Sequence, residues 1–475
     1  MNRFWVGAVL AAGLLVSGAE ARLRVCTWNV TNYNGDRVTD FQTALYGEFQ
    51  GRSMQLDVLI GQEFISQTAV NTFRNLLNSA PGSPGDWQAA PFVNGNDTDS
   101  ALFYRTSRVT FIAQTVVASG GNPPAIPRNI MRYDIRPVGY AGANATIAMY
   151  SSHMKSGSTT SDLDRRLAEA QFIRSNAETL PADWHFLVGA DFNIPNSTQT
   201  AYQKLVGSEI NNAGRFFDPI NRPGNWNNTA ATRNINTQDP ATQMDDRFDQ
   251  ILISADLFDS KGIDYIGNPS IPFKNYSSSD PQPWNDPNHS YRCWGNDGSA
   301  YNAPLATTNN SMVGPTIAQA LINTADGLGH LPVYLDLRLP AQAGVSTNLI
   351  DFGVVRVNSS QSRTFQVSNT ANTALWGTNG LQRLNYTMTS TSGATVPTSS
   401  FFVNPGASAN THAVVLNTST LGVRTGTITI TTDAADNPVR TITWRADIRV
   451  KAPEVGGPAS PRGNPTLVGR QGFGL

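Results

Sequence analysis

An α/β domain followed by an all-β sandwich is the architecture this sequence predicts, and three observations predict it. Between residues 22 and 340, short apolar runs of strand length alternate with segments of helical spacing. After about residue 346 the texture changes. Ile442, Trp444, Ala446, Ile448 and Val450 alternate strictly, as do Phe365 with Val367 and Ile428 with Ile430. Period two with frequent turn residues is the pattern of an antiparallel sandwich. Finally, 475 residues exceed what one ordinary core accommodates, so two domains are expected.

The elements follow in order. Residues 1–21 read as a signal peptide: one early positive charge, an apolar run from Val6 to Val16, and a small-x-small site at Ala19-Glu20-Ala21. A membrane anchor is the other reading of that run, which is short for a span, and no transmembrane segment is expected in the mature chain. "RLRVCTWNV" (22–30) is a strand, Phe41 to Met54 a helix, "DVLIGQE" (57–63) a strand, and 66–78 a helix. "SALFYR" and "VTFIAQTVV" are strands expected to meet through a hairpin turn at Thr106-Ser107, followed by "IMRYDIRPV" and "ATIAMYSSHMK". Ser161 and Asp164 resemble a capping box at the head of a helix carrying Leu163, Leu167, Ala170, Ile173 and Ala177. "HFLVGADFN", "RFDQILIS" and "HLPVYLDLRL" complete the strands. Two long polar stretches, 207–247 and 260–325, interrupt them, and loops of that length are uncommon unless functional or mobile. Pro340 to Val345 reads as a linker to the sandwich, residues 346–450, in which no helix is evident. Residues 451–475, rich in Pro and Gly, are expected to be disordered.

Composition excludes some functions. Charged residues make up 15% of the chain and the formal net charge is −1, so it carries no basic excess of the kind that drives non-specific nucleic-acid binding. Any phosphate recognition must be local or carried by a metal. The two cysteines, Cys26 and Cys293, could pair in an oxidising compartment or remain free.

The chemistry-bearing residues share one position: the ends of buried strands. Asn29 ends "VCTWN", Glu63 ends "DVLIGQE", and His153 and Lys155 end "YSSHMK". Asp191 and Asn193 end "FLVGADFN", Asp249 opens "DQILIS", and His330 opens "HLPV". One polar strand end is a turn. Several, all carrying acid–base or metal-ligand side chains, point to one site, because strand ends of α/β folds converge on a common edge. Tyr104, His185 and His289 read as structural, and Trp184 and Trp284 as core residues rather than substrate-stacking surfaces.

In order, W-N, Q-E, S-H-x-K, G-x-D-x-N, R-x-D-x-I and H-L-P-V resemble the motifs of the endonuclease/exonuclease/phosphatase superfamily, over residues 22–340. The resemblance implies a four-layer α/β/β/α sandwich with two mixed sheets, and hydrolysis of phosphoesters by water with a divalent cation. It implies that Glu63 holds the metal, with its amide neighbour Asn29 as a second oxygen ligand and a substrate contact. Asp191 would activate the water, Asn193 would hydrogen-bond the phosphate, and His330, oriented by Asp249, would serve as acid–base or phosphate contact. His153 would bind a phosphate oxygen from the other side or act as general acid. Arg132 is the expected phosphate-binding arginine, with Arg136 its rival and Lys155 a weaker candidate. Mg²⁺ or Mn²⁺ is the implied ion, with Ca²⁺ an alternative. The leading substrate is nucleic acid, from the likeness of "SSHMKSG" and "RRLAEA" to secreted bacterial nucleases. Alternatives are a lipid or small-molecule phosphoesterase of the sphingomyelinase or inositol-phosphatase kind, and a binding protein with weakened chemistry.

One departure stands out. Relatives carry Ser-Asp before the catalytic histidine, and that Asp ligates metal; here Leu328 and Gly329 precede His330. Either Asp326, four positions upstream of His330, substitutes for it, or the metal is held by fewer carboxylates. The sandwich resembles immunoglobulin-like domains of the abnormal-spindle and hydin type, which imply binding or spacing rather than catalysis.

Overall fold

The computed structural model describes residues 22–450. The expected signal peptide and C-terminal tail lie outside the described residues. The first unit begins β1 (Leu23–Tyr33), α1 (Val38–Tyr46), β2 (Val58–Phe64), α2 (Gln67–Ser79), β3 (Trp87–Ala89), β4 (Asp99–Arg105). It continues β5 (Val109–Ala118), β6 (Ile130–Pro137), β7 (Ile147–His153), α3 (Thr160–Ala177), β8 (His185–Asp191), α4 (Thr200–Val206). It ends β9 (Phe216–Phe217), β10 (Asp249–Ser254), β11 (Asp264–Tyr265), β12 (Arg292–Cys293), α5 (Gly314–Thr324), β13 (Val333–Arg338).

Two sheets carry this unit. One runs β11-β13-β1-β2-β4-β3, with β12 also paired to β13; the other runs β5-β6-β7-β8-β10-β9. Both are mixed. β1 is parallel to β2 but antiparallel to β13, and β7 is parallel to β8 while β8 is antiparallel to β10. Period two assigns the faces. Met131, Tyr133 and Ile135 join Val25, Val58, Ile60, Leu187 and Ile251 in one core between the sheets. Their neighbours in sequence point outward. Phe41, Phe73 and Leu321 of α1, α2 and α5 cover the first sheet. Ala170, Ile173 and Tyr202 of α3 and α4 cover the second. The layers are therefore α/β/β/α.

Beyond Arg338 the chain forms a four-stranded and a five-stranded sheet facing each other across Phe352, Phe365, Val367, Ile428, Ile442, Trp444 and Ile448. Among the described residues, no helix is long and apolar enough to cross a membrane.

Several sequence expectations need correction. The run from Ala343 to Val345 is a strand paired with Gln361–Asn369, not a free linker, and Ala341 and Ala343 are buried. A short helix, α6 (Thr373–Trp376), was not expected in the sandwich. Its Trp376 is fully buried in the inter-sheet core of the first unit, under the Arg108 guanidinium at 4.0 Å, with its indole N–H donated to Val138 O. The turn at Thr106-Ser107 exists, but β4 and β5 lie in different sheets, so it is a crossover and not a hairpin. Helix α1 stops at Tyr46 because the chain then turns at Gly47 and Gly51, the latter at φ +75°. The capping box lies two residues earlier than read: Thr159 Oγ1 accepts from Asp162 N and the Asp162 carboxylate accepts from Thr159 N. α5 was missed inside the second polar stretch. Cys26 and Cys293 are both free and buried, on opposite faces of the first sheet, Cys26 toward the helices and Cys293 toward the inter-sheet core.

Candidate active site

The two sheets approach most closely where β1 and β8 face each other, and Gly189 permits it. A Cβ there would stand 2.8 Å from Thr27 Cβ. Beneath the site, the Gln62 amide spans the gap, donating to Thr27 Oγ1 and Ser151 Oγ, each at 3.1 Å. That network fixes the strand ends that follow it, because a buried amide must spend its donors on defined partners.

Register brings the reactive groups together. His153 pairs with Asp191, and Asp191 with Asp249, across β7, β8 and β10. From the other sheet, Asn29 is fully buried, and its amide nitrogen donates to Glu63 Oε1 at 2.9 Å and Asp191 Oδ2 at 3.1 Å. Glu63 sits at φ +66° and also accepts from Asn32 N at 2.8 Å. A non-glycine residue in left-handed backbone is uncommon and collects at functional sites. His330 Nδ1 lies 2.8 Å from Asp249 Oδ2, which also accepts from Thr237 Oγ1 at 2.7 Å. The His330 ring turns Nε2 toward Asp191 Oδ2, 3.7 Å away, and Trp28 holds the His330 carbonyl through its indole N–H at 3.0 Å. His153 lies 3.3 Å from Glu63 Oε1 through Nδ1 and 3.4 Å from Asp191 Oδ2 through Nε2. Asn193, at φ +50°, gives one amide hydrogen to Met154 O at 3.0 Å, and its backbone N–H caps Asp191 Oδ1 at 3.1 Å. An amide has two hydrogens, so one remains for a ligand.

The two histidines differ electrostatically. Burial lowers the His153 pKa well below its usual value, with the cations Arg128, His330 and Lys155 adding to it, so this imidazole is neutral. Burial opposes charge on His330 too, but the Asp249 and Asp191 carboxylates outweigh it and raise its pKa, so His330 is an imidazolium at neutral pH. Burial raises the Asp191 pKa against the pull of His330, with Asp249 and Glu63 adding repulsion. A carboxylate raised in this way is poised to accept a proton.

The donor set suits a hard divalent cation. Glu63 and Asp191 converge on a single amide NH₂, and among the described residues Asp249 Oδ1 is buried without a hydrogen-bond partner. Carboxylate oxygens of Asp191 and Asp249 lie within 4.8 Å of each other, while His330, as an imidazolium, offers no lone pair. Asn29 Oδ1 already accepts from Thr31 N at 3.0 Å, so it is not placed as the oxygen ligand expected from sequence. Oxygen-rich, carboxylate-bearing sites of this sort favour Mg²⁺, Mn²⁺ or Ca²⁺ over softer metals.

Asn29, Glu63, His153, Asp191, Asn193, Asp249 and His330 are thus brought together. Arg132 is not. Its neighbours Met131 and Tyr133 fill the inter-sheet core, so alternation sends it outward, where it pairs with Asp134 at 2.9 Å and bonds Asn176 of α3 at 2.9 Å. Arg136 bonds Thr146 Oγ1, and Lys155 Nζ is tied to Ser156 O and to Asp162 at 3.0 Å. The arginine whose field reaches His153 is Arg128, in the loop before β6, held by Asp97 at 2.9 Å and Thr98 Oγ1 at 3.2 Å. Asp326 is exposed, and among the described residues no hydrogen bond or ion pair joins it to the cluster. No side chain fits at Gly329: a Cβ would lie 2.5 Å from both Ala325 O and Thr31 Oγ1. Beside this turn lies Asp239, whose N–H donates to Gly329 O at 2.8 Å, whose carboxylate feels the His330 charge, and whose Oδ1 is buried without a partner among the described residues. Neither Arg128 nor Asp239 ends a long strand, so the strand-end pattern could not find them.

No family model matches the chain, and no curated protein matches it. Solved structures similar to it include the human Nocturnin catalytic domain with bound sulfate anion, at 13% identity over 67% of this chain and 94% of that one, TM-score 0.38. D. rerio TDP2 complexed with single strand DNA product aligns at 13% identity over 67% of this chain and 99% of that one, TM-score 0.35. An endonuclease/exonuclease/phosphatase family protein from Bacteroides thetaiotaomicron aligns at 13% over 66% and 94%, TM-score 0.37.

Proposed function

We propose that the chain is a divalent-metal-dependent phosphoesterase, and that its substrate is a phosphodiester of DNA or RNA. The observation that carries the reading is the convergence of Glu63, His153, Asp191, Asp249 and His330, with Asn29 and Asn193, at the facing ends of two sheets. A bound cation, held by Glu63 with Asn29 beside it, would polarise a phosphoryl oxygen and offset developing charge. Asp191 takes the proton of the attacking water. His330, charged and oriented by Asp249, stabilises charge on the phosphoryl oxygens through Nε2–H. Neutral His153 and the remaining amide hydrogen of Asn193 hydrogen-bond the phosphate from the β7–β8 side. Arg128 replaces Arg132 as the cation steering the phosphate. The N-terminal pattern of residues 1–21 supports export from the cell.

The test is a hydrolysis panel with DNA, RNA and bis(p-nitrophenyl) phosphate, each with Mg²⁺ and with EDTA. The reading expects cation-dependent cleavage of a nucleic acid. Cleavage of the chromogenic ester alone would move the substrate to small phosphoesters, and chelator-resistant cleavage would overturn the mechanism.

A further inference from the structure

A cleft of about 720 Å³ opens at the seam between the two units, at the end of β13 away from His330. The first unit contributes Arg22, Asp264 and Arg338; the sandwich contributes Asn379, Gln382 and Arg383. That volume falls in the range of small-molecule sites. Of its three guanidinium groups, that of Arg22 is paired with Asp336 at 2.6 Å, which leaves Arg338 and Arg383 beside one carboxylate, Asp264. The carboxylate is already engaged: Asp264 accepts from Ser260 N at 3.1 Å and from the Gln382 amide. Arg383 is exposed, with its guanidinium 5.1 Å above the Phe402 ring, and among the described residues it has no ion pair. Among the described residues Arg338 makes one long hydrogen bond, 3.4 Å, to Asn379 O, and its charge acts on Asp264, its cross-strand neighbour. Arginine holds phosphate and carboxylate through paired N–H donors, and two guanidinium groups, one from each unit, suit a ligand with more than one oxyanion.

We propose that this seam is a binding site for a small ligand bearing two or more phosphate or carboxylate groups. The site is separate from the strand-end cluster and does not rest on the phosphoesterase reading. Its occupancy joins the sandwich to the first unit through Arg338 and Arg383.

Isothermal titration calorimetry on the full chain in EDTA tests it, with inorganic pyrophosphate and citrate as probes. The wild type binds one equivalent of at least one of them, and the better probe gives the ligand class. Arg383→Gln and Arg338→Gln each weaken that binding at least tenfold, while Asp191→Asn leaves it unchanged. Melting temperatures in the absence of probe show that the variants are folded. Arg383 is exposed, so its variant keeps the assay interpretable if Arg338→Gln unfolds. Absence of binding of both probes at millimolar concentration overturns the proposal. So does undiminished binding by Arg383→Gln, or loss of binding in Asp191→Asn, which would place the anion in the strand-end cluster.

Discussion

Gly329 stands where resemblance expects an aspartate, and the backbone explains its smallness. With Ala325 O and Thr31 Oγ1 each 2.5 Å from the position of a Cβ, Gly329→Asp cannot restore a metal ligand. It is expected to lower stability by about 1–3 kcal/mol, the usual cost of overpacking, with no gain in cation affinity. Chemical denaturation and a Mg²⁺ titration check both halves. Asn193 makes a different case. Its left-handed backbone lets the N–H hold Asp191 Oδ1, and its side-chain amide bonds Met154 O, next in sequence to His153. Asn193→Ala should slow hydrolysis about 10²–10³-fold, the scale for one lost transition-state donor, as measured by kcat/KM on the panel substrate that the wild type cleaves. At this scale the sequence was informative where a polar residue ended a buried strand. It was silent on Arg128 and Asp239, loop residues whose charges act on His153 and His330 respectively, and it did not foresee that Arg132 turns toward Asn176 of α3.

Helix α3 shows how an element supports the site without entering it. Glu169 is fully buried and accepts the Lys155 N–H at 2.9 Å, and Arg166 binds the Gly157 carbonyl at 2.9 Å, so α3 clamps the turn that follows His153. Burial raises the Glu169 pKa from its usual 4.5 to about 8, against the pull of the Lys155 N–H and the nearby arginines. An acid raised on folding holds a proton that the unfolded chain has released. Its contribution therefore declines as pH rises from 4.5 toward 8 and is level above that. Glu169→Gln keeps the acceptor for Lys155 and removes the titration. Its stability relative to wild type should rise between about pH 5 and about pH 8, read from urea unfolding at both ends. A difference independent of pH would contradict the burial argument. Elements with a long single period, such as α2 and α3, were legible in sequence. α5 was not, because it lies within a polar stretch. The β4–β5 turn gave no hint that its strands belong to different sheets, since a turn residue does not state which strand it pairs.

The whole molecule is more tightly joined than its two textures imply. Trp376 comes from the sandwich half of the sequence and packs in the inter-sheet core of the first unit, and Leu381 lies there with it. Tyr140 donates its hydroxyl to Pro340 O at 2.6 Å, and Gln342 donates its amide to Gly139 O at 2.6 Å. A chain truncated after Ala341 would uncover that core. It should melt at a lower temperature than the full chain, and Trp376→Ala in the full chain should cost about 3–5 kcal/mol. Calorimetry showing two independent transitions, unaffected by that substitution, would contradict this coupling. Pattern reasoning missed it because a short Pro-Ala-Gln-Ala-Gly segment reads as a spacer until its neighbours in space are known.

Everything proposed for catalysis converges on Asp191, the buried carboxylate between two histidines and Asn29. The most direct measurement pairs rate and melting temperature for wild type and Asp191→Asn on one nucleic-acid substrate, with Mg²⁺ and after EDTA. An amide cannot take the proton of the attacking water. The rate should therefore fall about 10²–10⁴-fold, while the melting temperature holds or rises as a buried charge is relieved. Wild-type activity should vanish in EDTA and return with Mg²⁺. Near-full turnover by Asp191→Asn, or hydrolysis indifferent to chelation, would contradict the account.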